Sequence, residues 1–125
     1  MNRYALKTLL TGAAMLLSAS AFADMNPFGA MALPLNKADY QEMAKASGPL
    51  LSDDSLPIGT TREWSNASSG NHGTVKLLAR MQKQYQGSSL PCRQLEYHVV
   101  VAQPGGPYNV VIDRCKVADG SWKIY

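Results

Sequence analysis

Cysteine and histidine are scarce in this chain of 125 residues, with two of each. No cysteine precedes Cys92, so the N-terminal region offers no thiol for lipid attachment. Cys92 and Cys115 lack the C-x-x-C spacing of redox enzymes. His72 and His98 are not at a metal-ligand spacing such as H-x-x-x-H. No serine lies in a nucleophile-elbow context, and Ser68-Ser69-Gly70 reads as a turn. No glycine cluster follows a strand and opens a helix, so no phosphate cradle is expected. Long apolar runs are missing too. The one apolar stretch, residues 9–21, is too short and too rich in small residues for a transmembrane helix. The expectation is a non-enzymatic protein with no catalytic residues, no metal site, no cofactor and no membrane span.

Strong charge of either sign is also absent. The net charge is +3, and Arg3 and Lys7 supply two of those charges, which leaves +1 for residues 24–125. A near-neutral chain argues against non-specific nucleic-acid binding. Lys76, Arg80 and Lys83 form a basic stripe by sequence, best read as a solvated strand face.

What is present begins with an export signal. Arg3 and Lys7 precede the apolar stretch, and Ala21-Phe22-Ala23 has the small-x-small form that signal peptidase accepts. Residues 1–23 therefore read as a signal peptide cleaved before Asp24, which places the product in the periplasm. Two cysteines in an exported chain point to one disulfide, Cys92 to Cys115. Closing that loop contributes about 3 kcal/mol by chain-entropy arithmetic. Two free buried thiols are the alternative.

Residues 24–58 read as a leader arm followed by a helix. Residues 24–35 (DMNPFGAMALPL) have no clear period. Asn36 offers an N-cap with Asp39 three positions on, an approximate capping box. The helix is expected over residues 37–47, with Gly48 and Pro49 as its stop. Ser52-Asp53-Asp54 could cap a further short turn.

Residues 59–125 read as an antiparallel β domain. Residues 60–65 (TTREWS) are a short β-prone run. Residues 66–73 (NASSGNHG) are dense in turn formers. In residues 74–85, Val75, Leu77, Ala79 and Met81 alternate with Lys76, Leu78, Arg80 and Gln82, which favours a strand with one buried face over a helix. Residues 86–91 read as a turn. Leu95, Tyr97, Val99 and Val101 then share one face, opposite Gln94, Glu96 and His98. Gln103-Pro104-Gly105-Gly106 fits a type II turn, and Asp119-Gly120 a two-residue hairpin.

Register leaves two points open. Pairing Gln103 with Gly106 sets the cysteines diagonally, and a two-residue shift sets them directly opposite. The two-residue turn at Asp119-Gly120 pairs Val117 with Trp122 and Cys115 with Ile124. That puts their apolar cluster on the other face from Leu95. A sheet twist is favoured over a bulge as the remedy. The expected fold is α+β: one N-terminal helix packed on a four- to five-stranded antiparallel sheet with one disulfide.

The ordered set Gly59…Trp64-Ser65-Asn66…Ser69-Gly70-Asn71-His72-Gly73-Thr74-Val75, Cys92-Arg93…Tyr97, and Cys115…Asp119-Gly120-Ser121-Trp122 resembles the surface-antigen domain of the rickettsial 17-kDa surface antigen family. It covers roughly the second half of the chain. The resemblance implies a bacterial envelope protein with no assigned catalysis. Relatives often carry a lipidation cysteine and a glycine-zipper segment, and this chain shows neither, which favours a soluble periplasmic protein over outer-membrane attachment.

Trp64, Asn66, Ser69, Gly70, Asn71, His72 and Gly73 form the candidate binding face, with Trp64 as anchor. Core packing competes for Trp64, Tyr97 and Trp122. Glu96, His98 and Asp113 could imitate an acid/base cluster, but solvated polar residues are the simpler reading. The expected function is binding of another envelope component, an envelope protein among the possible partners. The alternative is inhibition of a hydrolase such as lysozyme, with the loop at residues 66–73 as the plug.

Overall fold

A computed structural model describes Phe28 and residues 33–125. The signal-peptide assignment and most of the leader arm lie outside the described residues. Among the described residues one helix, α1 (Lys37–Ser52), precedes five strands: β1 (Thr61–Asn66), β2 (Asn71–Tyr85), β3 (Ser88–Val100), β4 (Tyr108–Lys116) and β5 (Trp122–Ile124). The strands form one antiparallel sheet in chain order. The fold is α+β, one helix packed on a five-stranded sheet.

The capping box starts α1. The Asn36 side chain accepts from the Asp39 N–H at 2.9 Å, and the Asn36 N–H donates to Asp39 Oδ2 at 2.9 Å. The helix does not stop at Gly48-Pro49 but runs through both to Ser52. Pro49 removes one N–H and costs about 3 kcal/mol in a helix interior. Burial of Leu50 and Leu51, fully and nearly fully, returns about 1.5–3 kcal/mol each. Asp53 is the C-cap, donating its N–H to Pro49 O at 2.9 Å.

The helix covers one face of the sheet. Met43, Ala46, Leu50 and Leu51 meet Trp64, Val75, Leu77, Leu95, Tyr97, Val99 and Ile112. Phe28 closes one side, edge-on to Tyr97 with ring centroids 5.5 Å apart. Residues 74–85 are strand, as their alternation predicts, but one bulge interrupts it. The β2–β3 register shifts between Leu77 and Ala79. Leu78 is the extra residue, and every later side chain changes face. Met81 therefore stands opposite Cys92, away from the helix, rather than in line with Val75 and Leu77. Arg80 takes the helix side and donates to Leu56 O at 2.6 Å. The bulge also breaks the expected basic stripe: Arg80 turns to the helix side, whereas Lys76 stays on the other face with Lys83, which pairs with Asp113 at 2.6 Å.

Three turns differ from expectation. The β2–β3 turn is Gln86-Gly87 alone, with φ of 50° and 78°, the pattern of a type I′ hairpin. Ser88 to Pro91 belong to β3. At the β3–β4 hairpin the ladder ends at Val99 and Tyr108, so no tight type II turn closes at Gln103 and Gly106. Pro107 has no N–H to donate and stops the ladder there. The resulting shift sets Cys92 directly opposite Cys115, Cα atoms 4.0 Å apart, joined by a disulfide. At the β4–β5 turn, Val117 N–H donates to Ser121 O, and Gly120 has φ of 88°. The loop is thus three residues, not two. Trp122 pairs with Lys116, and Ile124 with Arg114. This one-residue change moves Trp122 to the helix face and removes the two-face conflict, so no compensating twist is needed.

Candidate functional site

The candidate binding face lies where the β1–β2 hairpin meets the start of α1. Asp39 organises it. Oδ1 accepts from Asn66 Nδ2 at 2.8 Å and Ser69 Oγ at 2.6 Å. Oδ2 accepts from the Asn36 N–H and from Asn71 Nδ2, both at 2.9 Å. The carboxylate has no exposed surface. Burial raises its pKa, but the hydrogen bonds from Ser69, Asn36, Asn71 and Asn66 outweigh burial and hold it below the ordinary carboxylate value. The neighbouring Tyr40 hydroxyl is pushed up, by burial first and by the Asp39 charge second.

Asn66, Ser69 and Asn71 thus turn inward. Asn71 also accepts from the Ala102 N–H at 2.9 Å, which ties the hairpin to the segment after β3. Gly70 has φ of 78°, a conformation that suits glycine. Gly73 serves close approach: a Cβ there would collide with the His98 carbonyl oxygen and meet the Trp64 indole nitrogen at 3.0 Å. Of the expected set, His72 points to solvent and Trp64 is buried among the core residues. Beside Asp39 lies a cavity of about 420 Å³, lined by Pro34, Leu35, Asn36, Ser69 and Asn71 among others. The Asn36–Asp39 spacing signals the cap, but nothing in the sequence signals that the same carboxylate binds the hairpin.

A second feature adjoins this end. β1 is an outer strand, paired on one side only among the described residues. Leu77 N–H donates to Thr60 O, and hydrogen-bonding direction alternates along an antiparallel pair. Arg62, Trp64 and Asn66 therefore aim their backbone groups at β2. Thr61, Glu63 and Ser65 aim theirs at the open edge. A groove of about 380 Å³ runs between this edge and α1, lined by Glu42, Lys45, Ala46, Arg62, Glu63 and Trp64. An open edge beside a helix groove can accept an added strand: the backbone supplies hydrogen bonds and the groove takes alternate side chains.

The Glu96–His98–Asp113 set does not assemble as a cluster. His98 Nδ1 lies 2.8 Å from Asn109 Oδ1, whereas Asp113 receives Gln94 and Lys83. No group of three or more His, Cys, Asp or Glu residues that could hold a metal occurs among the described residues. No protein-family profile, curated protein or solved structure matches the chain.

Proposed function

We propose that this is a non-enzymatic, exported protein of the bacterial cell envelope that binds an extended segment of another envelope protein along β1. The open edge of β1 with its adjoining groove carries the reading. The signal-peptide features of residues 1–23 and the resemblance to the surface-antigen domain support export and envelope location. The Asp39 hydrogen bonds hold the end of β1 and its hairpin in one geometry, so little ordering remains to be done on binding. Arg62 and Glu63 charge the edge, which discourages two copies from pairing and asks for a partner of matching charge.

A photo-crosslinking residue at Thr61, which shares the open edge with Glu63, expressed in the periplasm, tests this. Expected is one crosslinked envelope protein, lost when Glu63→Pro removes an edge N–H. A crosslink pattern unchanged by Glu63→Pro would refute strand addition. Recovery of a glycan hydrolase, with inhibition of that enzyme by the purified protein, would favour the inhibitor reading. The stiffened hairpin at residues 66–73 is the observation that speaks for that alternative.

A further inference from the structure

At the far end of α1 from Asp39, two buried arginines face each other. Arg93 on β3 and Arg114 on β4 are cross-strand partners, 9 % and 7 % exposed. Like charges directly opposite on a strand pair repel, and burial of a charge adds a desolvation cost. The carbonyl ends of α1 offset part of this. Arg114 Nη2 donates to Trp122 O at 3.0 Å. Arg93 Nη1 donates to Cys92 O at 2.9 Å, and Nη2 pairs with Asp54 at 2.7 Å. The Asp54 side chain is 77 % exposed, so much of that pair is screened by water. Arg93 Nε is buried with no hydrogen-bond partner.

Arg93 and Asp54 border a cleft of about 290 Å³. Lys116 lines it, and no side-chain ion pair joins Lys116 to any described residue. Asp54 is the one carboxylate in its lining. Trp122, whose ring lies 5.4 Å from the Arg93 guanidinium carbon, forms a wall with Leu51 and Pro91. The cleft thus combines surplus positive charge, a guanidinium fork and an aromatic and aliphatic wall. Guanidinium matches the planar geometry of carboxylate and phosphate.

We propose that this cleft binds an oxyanion, carboxylate or phosphate, carried on a framework the size of one sugar ring or amino acid. The oxyanion takes the place Asp54 holds at Arg93 and is reached by Lys116, while the framework lies against Trp122. Asp54 acts as a built-in competitor that keeps Arg93 paired until the ligand arrives. The site is separate from the β1 edge, so either can fail without the other.

The test is titration of the intact mature protein with benzoate, glucuronate and inorganic phosphate at low salt, followed by NMR of the two indole N–H signals. Trp64→Phe assigns them. Expected is saturable binding of at least one probe at about 1 mM or tighter, with the Trp122 signal shifting and the Trp64 signal still. Phosphate alone binding would identify a phosphate ligand. The organic acids alone binding would identify a carboxylate. Arg93→Lys and Lys116→Gln should each weaken binding about tenfold, the scale of one charged hydrogen bond. Asp54→Asn should tighten it about threefold or more, an effect in the direction a structural ion pair would not give. If Arg93→Lys does not fold, the Lys116 and Asp54 variants at exposed positions decide. No probe binding at 10-fold higher concentration, a shift confined to Trp64, or Asp54→Asn leaving affinity unchanged would overturn the proposal.

Discussion

Replacing Asp39 tests how the two ends of the fold are joined. Asp39→Ala removes the acceptor for four donors: the Asn36 N–H, Asn66, Ser69 and Asn71. Loss of a helix cap alone costs about 1 kcal/mol. A hydrogen bond to a charged group contributes about 1.5–3 kcal/mol, and a buried donor left unsatisfied costs about 1–3 kcal/mol. Water can reach Asn66 and Ser69 once the carboxylate is gone, but Asn71 is buried. These effects share one centre and do not add. The expected loss is about 4 kcal/mol, against a total stability of about 5–15 kcal/mol for a small domain. Asp39→Asn keeps the shape but presents an NH2 to donors, so about 2–3 kcal/mol is expected. The pH dependence has a definite sign. The folded pKa lies below the ordinary value, so the unfolded chain binds the proton first as pH falls. The stabilisation is complete above the unfolded value of about 3.9 and is lost as pH falls through the folded one. Urea unfolding of wild type and Asp39→Asn, at pH 7 and in steps down to about pH 2, measures both quantities. The difference between the two proteins should be largest at pH 7 and shrink below about pH 4. A loss under 1 kcal/mol at pH 7, or a difference that does not shrink with acid, would refute the account.

Replacing Cys92 and Cys115 by serine should lower stability by about 3 kcal/mol while leaving partner binding, measured well below the unfolding midpoint, little changed. Thiol titration of the denatured, unreduced protein should find no free thiol, and two would contradict the bond. Gly73→Ala should be strongly destabilising in thermal unfolding, because its Cβ meets the His98 backbone. Gly48→Ala should bring less than the ~0.5–1 kcal/mol usual for a helix-interior glycine, although its Cβ would meet no non-adjacent atom, because the Pro49 ring disfavours helical backbone at a preceding residue that carries a Cβ. A full gain in thermal unfolding would refute this. Intact-mass measurement of the exported protein should give a chain beginning at Asp24, and a mass that retains Met1 would refute cleavage after Ala23.

Local chemistry made much of this protein legible without coordinates. Asn36 and Asp39 at cap and N3 start a helix wherever the chain places them, because the bonds they make span three residues. Two-residue alternation put Leu95, Tyr97 and Val99 on one face, and face parity made Cys92 and Cys115 compatible partners. Tertiary structure decided the rest, wherever distant groups outweighed a local signal. Gly48-Pro49 reads as a stop, but burial of Leu50 and Leu51 against the sheet carries α1 past it. Two- and three-residue turns at Asp119-Gly120 differ by one residue, and the choice sent Trp122 to the helix side. The bulge at Leu78 turned one run of alternating residues into two faces. Asp39 meets Asn71 across 32 positions, and Arg93 meets Arg114 across a hairpin. No periodicity links such pairs, because their contact exists only once register is set.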